Sequence, residues 1–353
     1  MKEGFFRNKR ILVTGHTGFK GSWLTLWLNT IGADVVGFSL DPPSNPYLYK
    51  FFDSNLREKL TNIRGDIRKA TDISRVVKEY EPEIVFHLAA QPILRSSYKH
   101  PVTTYITNTI GTLNLLDALR KFGDAKAIVN VTTDKVYANL GKKHAYKEDE
   151  KLGGNDPYSS SKACSELITQ AYYQSFFSGI GVATARAGNV IGGGDWGKYR
   201  IVPYLLSSQT QNKTIIIRKE DQNAIRPWTY ILDILNGYLT LGEKLYRDQR
   251  RYSGAWNFAS GYVKTVRNLL DEFSKYWNIK YTIKESRIQE EKVLLLNSMK
   301  SRTELGWKPI VNFERGVKDT AYWYSYFYTN HRKDQIYKYS LGLLNDFRNR
   351  LHG

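Results

Sequence analysis

The sequence predicts an α/β protein: a doubly wound parallel sheet with helices on both faces and a smaller C-terminal lobe. Three observations carry this. Short apolar runs alternate with helical patterns of about 10–20 residues through the first half of the chain. The runs are apolar throughout, as strands buried on both faces are. A glycine-rich turn, "GHTGFKG", joins the first run to the first helical pattern.

The elements follow in order. "RILVTG" (10–15) is a buried strand ending in glycine. "GSWLTLWLNTIGA" (21–33) sets Trp23, Leu24, Trp27, Leu28 and Ile31 at helical spacing. "DVVGFSL" (34–40) is a second strand and "NIRGD" (62–66) a weaker third. A helix ends near "KEYEP", before a fourth strand, "EIVFHLAA" (83–90). A long helix at 102–122 precedes a fifth strand, "KAIVNVTT" (126–133). A helix at 159–177 precedes the sixth, "GVATARA" (181–187). After Asn189 the pattern changes. A glycine-rich loop and helix come first, then a strand and return in "KTIIIRKEDQNAIRPWTYILDI". "SGAWNFASGYVKTVRNLLDEF" repeats that crossing.

Composition excludes several classes. Hydrophobic content of 41% and charged content of 24% are those of a globular protein. The single cysteine, Cys164, rules out an intrachain disulfide framework. No apolar run approaches the ~20 residues of a membrane span, and the N-terminus has no signal-peptide core. A cytoplasmic protein without membrane insertion is expected. The net charge of +18 is spread along the chain, with no arginine-rich arm, so nucleic acid is not an expected partner. An excess of positive charge also suits a substrate bearing a diphosphate.

Gly15, Gly18 and Gly21 lie between a strand and a helix, where a dinucleotide pyrophosphate meets unpaired helix N–H groups. Asp41 ends the second strand about twenty residues later. Its carboxylate can accept both ribose hydroxyls of NAD and repels a 2′-phosphate. A Rossmann-type site for NAD is therefore expected. Lys20 is either a cation beside the phosphates or merely exposed.

"YSSSK" stacks Tyr158 and Lys162 on one helix face. A free phenol titrates near ~10. A neighbouring ammonium is expected to lower that value and let the pair take a proton from an alcohol. Thr133 ends the fifth strand upstream. Asp134 and Lys135 follow it where the chain leaves the sheet. Taken alone they are either a solvated, charged strand end or working groups.

Together these motifs resemble the extended short-chain dehydrogenase/reductase superfamily, over nearly the whole chain. "HLAAQPILRSSYKHPVTTYITN" is similar to its HLAA segment with a later proline and asparagine, here Pro101 and Asn108. "RAGNVIGGGDW" is similar to the Arg-x-x-Asn-x-x-Gly segment at which the chain leaves the cofactor domain. With "GHTGFKGSW" and "TDK", it resembles the nucleotide-sugar 4,6-dehydratases within that superfamily. Such enzymes oxidise a sugar at C4, eliminate water across C5 and C6, then return the hydride to C6.

The resemblance implies roles. Elimination needs an acid for the C6 hydroxyl and a base for the C5 proton; Asp134 and Lys135 are the implied pair. Related dTDP-glucose enzymes carry Asp-Glu there and the CDP-glucose type carries Asp-Lys, which implies CDP-glucose as substrate. Thr133, Asp134, Lys135, Tyr158 and Lys162 are then the catalytic set. Cofactor contacts are implied for Gly15, Thr17, Gly18, Phe19, Lys20, Gly21, Asp41, Asp66, Ile67, Leu88, Ala89, Ala90 and Asn108, with Tyr158 and Lys162. Gln91, Asn189, Arg200 and Arg226 are implied at the substrate, the last three near its diphosphate. No metal is expected. Residues 1–188 would form the NAD-binding domain, with about 229–262 returning to it. Residues 189–353 would be mainly the substrate lobe and a C-terminal extension. Relatives pair through the helices read here at 102–122 and 159–177, so a homodimer is implied.

A 4-epimerase or reductase, or a 4,6-dehydratase for another nucleoside-diphospho-sugar, are the rival readings. Some segments depart from the family pattern. Asn297 stands for an aspartate in "LLNSMKSRTELGW", and "RIQEEKVLLL" lacks the usual His-Glu-Ala. The basic, tyrosine-rich tail is read as a packed helical extension, a dimer contact or a membrane-surface contact.

Overall fold

Seven parallel strands form one sheet in the computed structural model, in the order β7-β6-β5-β4-β1-β2-β3. They are β1 (Arg10–Thr14), β2 (Asp34–Ser39), β3 (Leu60–Arg64), β4 (Ile84–His87), β5 (Ala127–Val131), β6 (Gly181–Ala187) and β7 (Gly254–Phe258). The structure describes residues 2–42, 44–52, 59–138, 144–285, 293–329 and 335–352. The glutamates of "RIQEEK", Glu290 and Glu291, lie outside the described residues.

Strand side chains alternate between two cores, which is why the runs are apolar throughout. Ile11 and Val13 face one side with Val35, Ile84, Phe86 and Val129. There they meet Trp23 and Trp27 of α1 (Phe19–Thr30) and Leu235 and Leu239, from a helix at Ile231–Arg247. Leu12, Val36, Val85 and Ile128 face the other side. Ile73 and Val77 of α2 (Ala70–Tyr80) and Leu115 and Leu119 of the helix at Gly111–Phe122 cover them. Each such buried side chain is worth roughly 1.5–3 kcal/mol. The strand order turns back between β1 and β4, so a crevice opens beyond their carboxyl ends.

Three departures from the expected elements bear on that crevice. β4 stops at His87; beyond it the Leu88 N–H is shared between the Thr14 carbonyl at 3.1 Å and the Thr14 hydroxyl at 3.2 Å, and the Ala89 N–H turns to that hydroxyl at 3.2 Å. The long helix α3 is not uniform. It runs from Pro101–Tyr105 through a π turn at Ile106–Ile110 into Gly111–Phe122. Helix α4 (Pro157–Phe176) begins before Ser159, because Asp156 caps it by accepting the Ser159 N–H at 2.9 Å and Pro157 suits its first turn.

Beyond Ala187 the chain forms short two-stranded pairs: Val190–Ile191 with Thr229–Tyr230, Ile225–Pro227 with Val263–Thr265, and Ile215–Arg218 with Tyr281–Lys284. The helix at Ile231–Arg247, α5, then returns under the sheet. The tail forms α6 (Phe313–Thr329) and α7 (Gln335–His352). It packs on the first helix as well as the lobe: Phe347 meets Trp27 edge-on at 5.6 Å, and Arg348 grips both Glu3 oxygens at 2.6 Å. Among the described residues no helix is long and apolar enough to cross a membrane.

Candidate active site

The glycine turn sits on the exit of β4. Gly15 has a φ of +75°, and a Cβ there would stand 2.8 Å from the Ala89 nitrogen. A Cβ on Gly21 would stand 2.1 Å from the Gly15 oxygen. Both positions must therefore be glycine. Thr17 ties the turn to β2, its hydroxyl 3.0 Å from that of Ser39. Gly18 caps α1 without a side chain, and Phe19 packs half-buried against the core. Leu88, Ala89 and Ala90 border the same crevice, half-buried.

Asp41 is exposed and pairs with Arg64, Oδ1 to Nε 3.1 Å. Asp66 accepts Arg68 through both oxygens, and that guanidinium leads in holding its carboxyl below the usual range. Ile67 is buried against Gly111.

Two of the expected contact residues are engaged within the chain. Asn108 is buried in the π turn, and its amide bonds the Gln91 N–H at 2.8 Å, the Gln91 carbonyl at 3.1 Å and the Ser161 hydroxyl at 2.9 Å. It ties the segment after β4 to α4. Gln91 donates to Thr104 at 2.9 Å and accepts from the Ile93 N–H at 2.6 Å, so both ends of its amide are engaged within the chain. A buried amide takes whatever partners packing brings.

Lys20 is not merely exposed. Its Nζ lies 3.3 Å from the Tyr238 hydroxyl, and its charge is felt alongside Arg200, Lys162, Asp134 and Asp195. Burial, then Arg200 and Lys162, lower its pKa to about 7. The ammonium is turned toward the candidate catalytic groups.

Those groups converge where β5 ends. Thr133 is extended; a single turn of 3-10 helix, Asp134–Val136, follows. The Thr133 hydroxyl donates to Asp134 Oδ1 at 3.0 Å and is hydrogen-bonded to Tyr158. It also accepts the Lys135 N–H at 3.4 Å. Lys162, one turn beyond Tyr158 on α4, donates to the Val131 carbonyl at 3.0 Å. Thr133, Asp134, Tyr158 and Lys162 are all buried. Burial lowers the Lys162 pKa to about 8, with the Glu166 charge opposing. The phenol differs from expectation. Burial raises it above its ordinary value, and the Thr133 hydrogen bond and the Arg200 and Lys135 charges only partly oppose that.

Arg200 is held by Asp195, Nη1 to Oδ2 3.2 Å, and acts on Tyr158 as well as Lys20. Arg226 is buried in the Ile225–Pro227 strand, its Nη1 donating to the Ile225 carbonyl at 2.9 Å. Asn189 supplies the carbonyl that accepts the Thr229 N–H at 2.9 Å. This crossing touches the site directly: a Cβ on Gly188 would stand 2.8 Å from Pro227 and 3.0 Å from Asp134 Oδ2. Asp195 and Tyr238 join the expected residues here. Asp195 lies within the "GGGDW" already singled out; Tyr238, inside α5, carries no sequence signal.

A family model, GDP-mannose 4,6 dehydratase, matches residues 12–320. The chain belongs to this 4,6-dehydratase family. A CDP-glucose 4,6-dehydratase from Salmonella typhimurium is 42% identical over 319 residues, covering 87% of this chain and 88% of that one. Among solved structures, an epimerase from Methanothermobacter thermautotrophicus superposes with a TM-score of 0.81 at 27% identity, over 93% of this chain and 96% of that one. The dTDP-glucose 4,6-dehydratase of Bacillus anthracis, in complex with NAD, superposes with a TM-score of 0.74 at 23% identity, over 90% and 96%. The family's α/β fold is thus shared with epimerases, so the fold does not choose the reaction.

Proposed function

We propose that the chain is an NAD-dependent nucleotide-sugar 4,6-dehydratase, a hydro-lyase, acting on CDP-glucose. The observation that carries this is the Thr133–Asp134–Lys135 turn, which sets an acid and an amine beside Tyr158. A 4-epimerase or reductase has no use for that pair. The 42% identity to a CDP-glucose 4,6-dehydratase supports the substrate.

The residues present fit the dinucleotide. Gly15 and Gly21 bring the backbone to a closeness no side chain would allow, and the N–H groups at the start of α1 remain available for a pyrophosphate. Asp41 stands at the end of β2 for the ribose. When bound, NAD would supply the acceptor for the C4 hydride and the store from which it is returned to C6. Tyr158 takes the C4 hydroxyl proton as its phenolate, the form that the Thr133 hydrogen bond and the Arg200 and Lys135 charges favour against burial, with Lys162 holding a positive charge beneath. The resulting C4 ketone acidifies the C5 proton. Lys135, as the neutral amine, removes that proton, and Asp134, as the protonated acid, gives one to the departing C6 hydroxyl. Arg200 and Arg226 bind the diphosphate, with Asn189 beside them.

Residues 1–188, with about 229–262, form the cofactor domain in this reading; 189–228 and 263–330 form the lobe over the sugar nucleotide. The protein works in the cytoplasm as a homodimer. Support for the dimer is a row of exposed apolar side chains on α3, Val102, Ile106 and Ile110, with Leu167 on α4. The test is to incubate the protein with NAD and a panel of nucleoside-diphospho-hexoses. CDP-glucose should give a product lighter by one water; an isomer of unchanged mass would instead support the epimerase.

A further inference from the structure

Beneath the catalytic turn lies an ion pair that the mechanism above does not use. Glu166 and Arg186 are each 3% exposed. Arg186 Nε and Nη2 donate to the two Glu166 oxygens at 3.0 and 2.9 Å. A buried pair of this kind is weak evidence of stability, since apolar side chains of similar volume often serve as well. What apolar residues could not supply is the pair's further hydrogen bonds. The Thr132 hydroxyl donates to Glu166 Oε1. At the other end, Arg186 Nη1 donates to the Tyr137 hydroxyl at 2.8 Å. Thr132 and Tyr137 are the residues on either side of Thr133–Asp134–Lys135–Val136.

We propose that the Glu166–Arg186 pair is the positioning device of the elimination step, holding the Asp134–Lys135 turn by both of its ends. The inference rests on the reading of those two residues as the elimination acid and base.

The clamp is fully satisfied. Glu166 Oε2 also accepts the Thr184 hydroxyl of β6 at 2.6 Å. Arg186 Nη1 also donates to the Glu148 carbonyl at 2.9 Å. The Tyr137 hydroxyl passes its own proton to Asn257 Oδ1 at 2.8 Å, and burial keeps that phenol protonated. No rotamer of either charge can change without leaving a buried polar group unpaired. The clamp is also in register with the first half-reaction. Tyr158, Lys162 and Glu166 follow one another at four-residue spacing on one face of α4. One helix face therefore sets the oxidation groups and, through the pair, the turn that bears the elimination groups. A shift of about 1 Å at such groups costs on the order of 100-fold in rate.

The test uses the full-length protein, NAD and CDP-glucose. Tyr137→Phe deletes one bond of the clamp and keeps the ring, which stacks on Tyr146 at 5.0 Å. Thr132→Val deletes the other at nearly constant shape. Each should lower release of the dehydrated product by at least ~10-fold with KM within about twofold, while the undehydrated 4-keto hexose accumulates. Thr132→Ser should restore most of the rate. Dehydration within about twofold of the unaltered protein, or oxidation and dehydration falling in equal proportion, would overturn the proposal. If the unaltered protein dehydrates no CDP-glucose, the functional reading itself has failed. Amide hydrogen exchange across 133–137 then judges the clamp: exchange at least ~10-fold faster in both variants supports it, and unchanged exchange refutes it.

Discussion

Asp41 and Arg64 form an ion pair, Oδ1 to Nε 3.1 Å, at the carboxyl ends of β2 and β3. The carboxylate is 91% exposed, so it is free to meet a ribose, and the guanidinium stands beside it. With Asp41 in place, a 2′-phosphate meets a negative charge. Asp41→Ala removes the repulsion and leaves Arg64 to attract that phosphate. The ratio of kcat/KM with NAD to that with NADP should fall by at least ~10-fold, a loss of about 1.4 kcal/mol of discrimination. An unchanged ratio would mean that the ribose lies elsewhere.

The acid and base should separate from the oxidation. Asp134→Asn with Lys135→Met keeps the turn's shape and removes both proton carriers. Thr133, Tyr158 and Lys162 remain, so a 4-keto hexose should still form. Loss of water should fall by at least ~100-fold. Tyr158→Phe should instead stop the reaction before any ketone appears. Normal dehydration by the double variant would show that the pair is only a charged strand end.

Acid should unfold the protein through two buried histidines. His87 sits between the Thr14 hydroxyl at 2.7 Å and the Thr112 hydroxyl at 3.1 Å. His16 is fixed to Asn62 at 2.8 Å. Burial is the main cause that lowers their pKa values, to about 3 and about 4. Both are neutral in the fold, while the unfolded chain takes up protons below about 6.5. Their contribution is complete above that pH and is lost as pH falls toward the folded values, by roughly 2 kcal/mol per histidine at pH 5. His87→Gln should be less stable than the parent at pH 7 in urea unfolding. The gap should narrow on going to pH 5. A gap that widened would refute the neutral assignment.

Two charges in the apolar row should break the proposed dimer. Ile106→Glu with Leu167→Glu places carboxylates on exposed side chains that the fold itself does not bury. Light scattering should then report one chain, 40.7 kDa, where the parent reports two. A parent protein already at the mass of one chain at micromolar concentration would refute the dimer.

How much of this was legible follows from where each signal resides. β1, β2, β5 and β6 were read almost to the residue, because strands covered on both faces must be apolar along their length. The π turn at Ile106–Ile110 was not, since one extra backbone residue leaves the apolar spacing of a helix nearly intact. The start of α4 was placed late at Ser159, although Asp156 and Pro157 spell a capped helix start. At the site, Thr133, Tyr158 and Lys162 were legible because their spacing is local to one strand end and one helix. The direction of Lys20 was not. It is set by Tyr238, which lies 218 positions away in the sequence. The partners of Asn108 were not legible either: its motif is local, but Gln91 and Ser161 arrive through packing.

The place of β7 has a consequence for synthesis. Ala187 ends β6, and the strand that pairs with it along that side, Gly254–Phe258, comes only after the short strand pairs that follow Ala187 and α5. Until those residues emerge from the ribosome, β6 presents an unpaired edge whose side chains are buried on both faces in the finished protein. Such an edge is a template for pairing with another chain. A fragment cut after Ala187 carries every glycine of the dinucleotide turn and the whole Tyr158–Lys162 helix, yet it leaves that edge bare. It should collect in inclusion bodies, and the nascent chain should depend on chaperones over the same stretch.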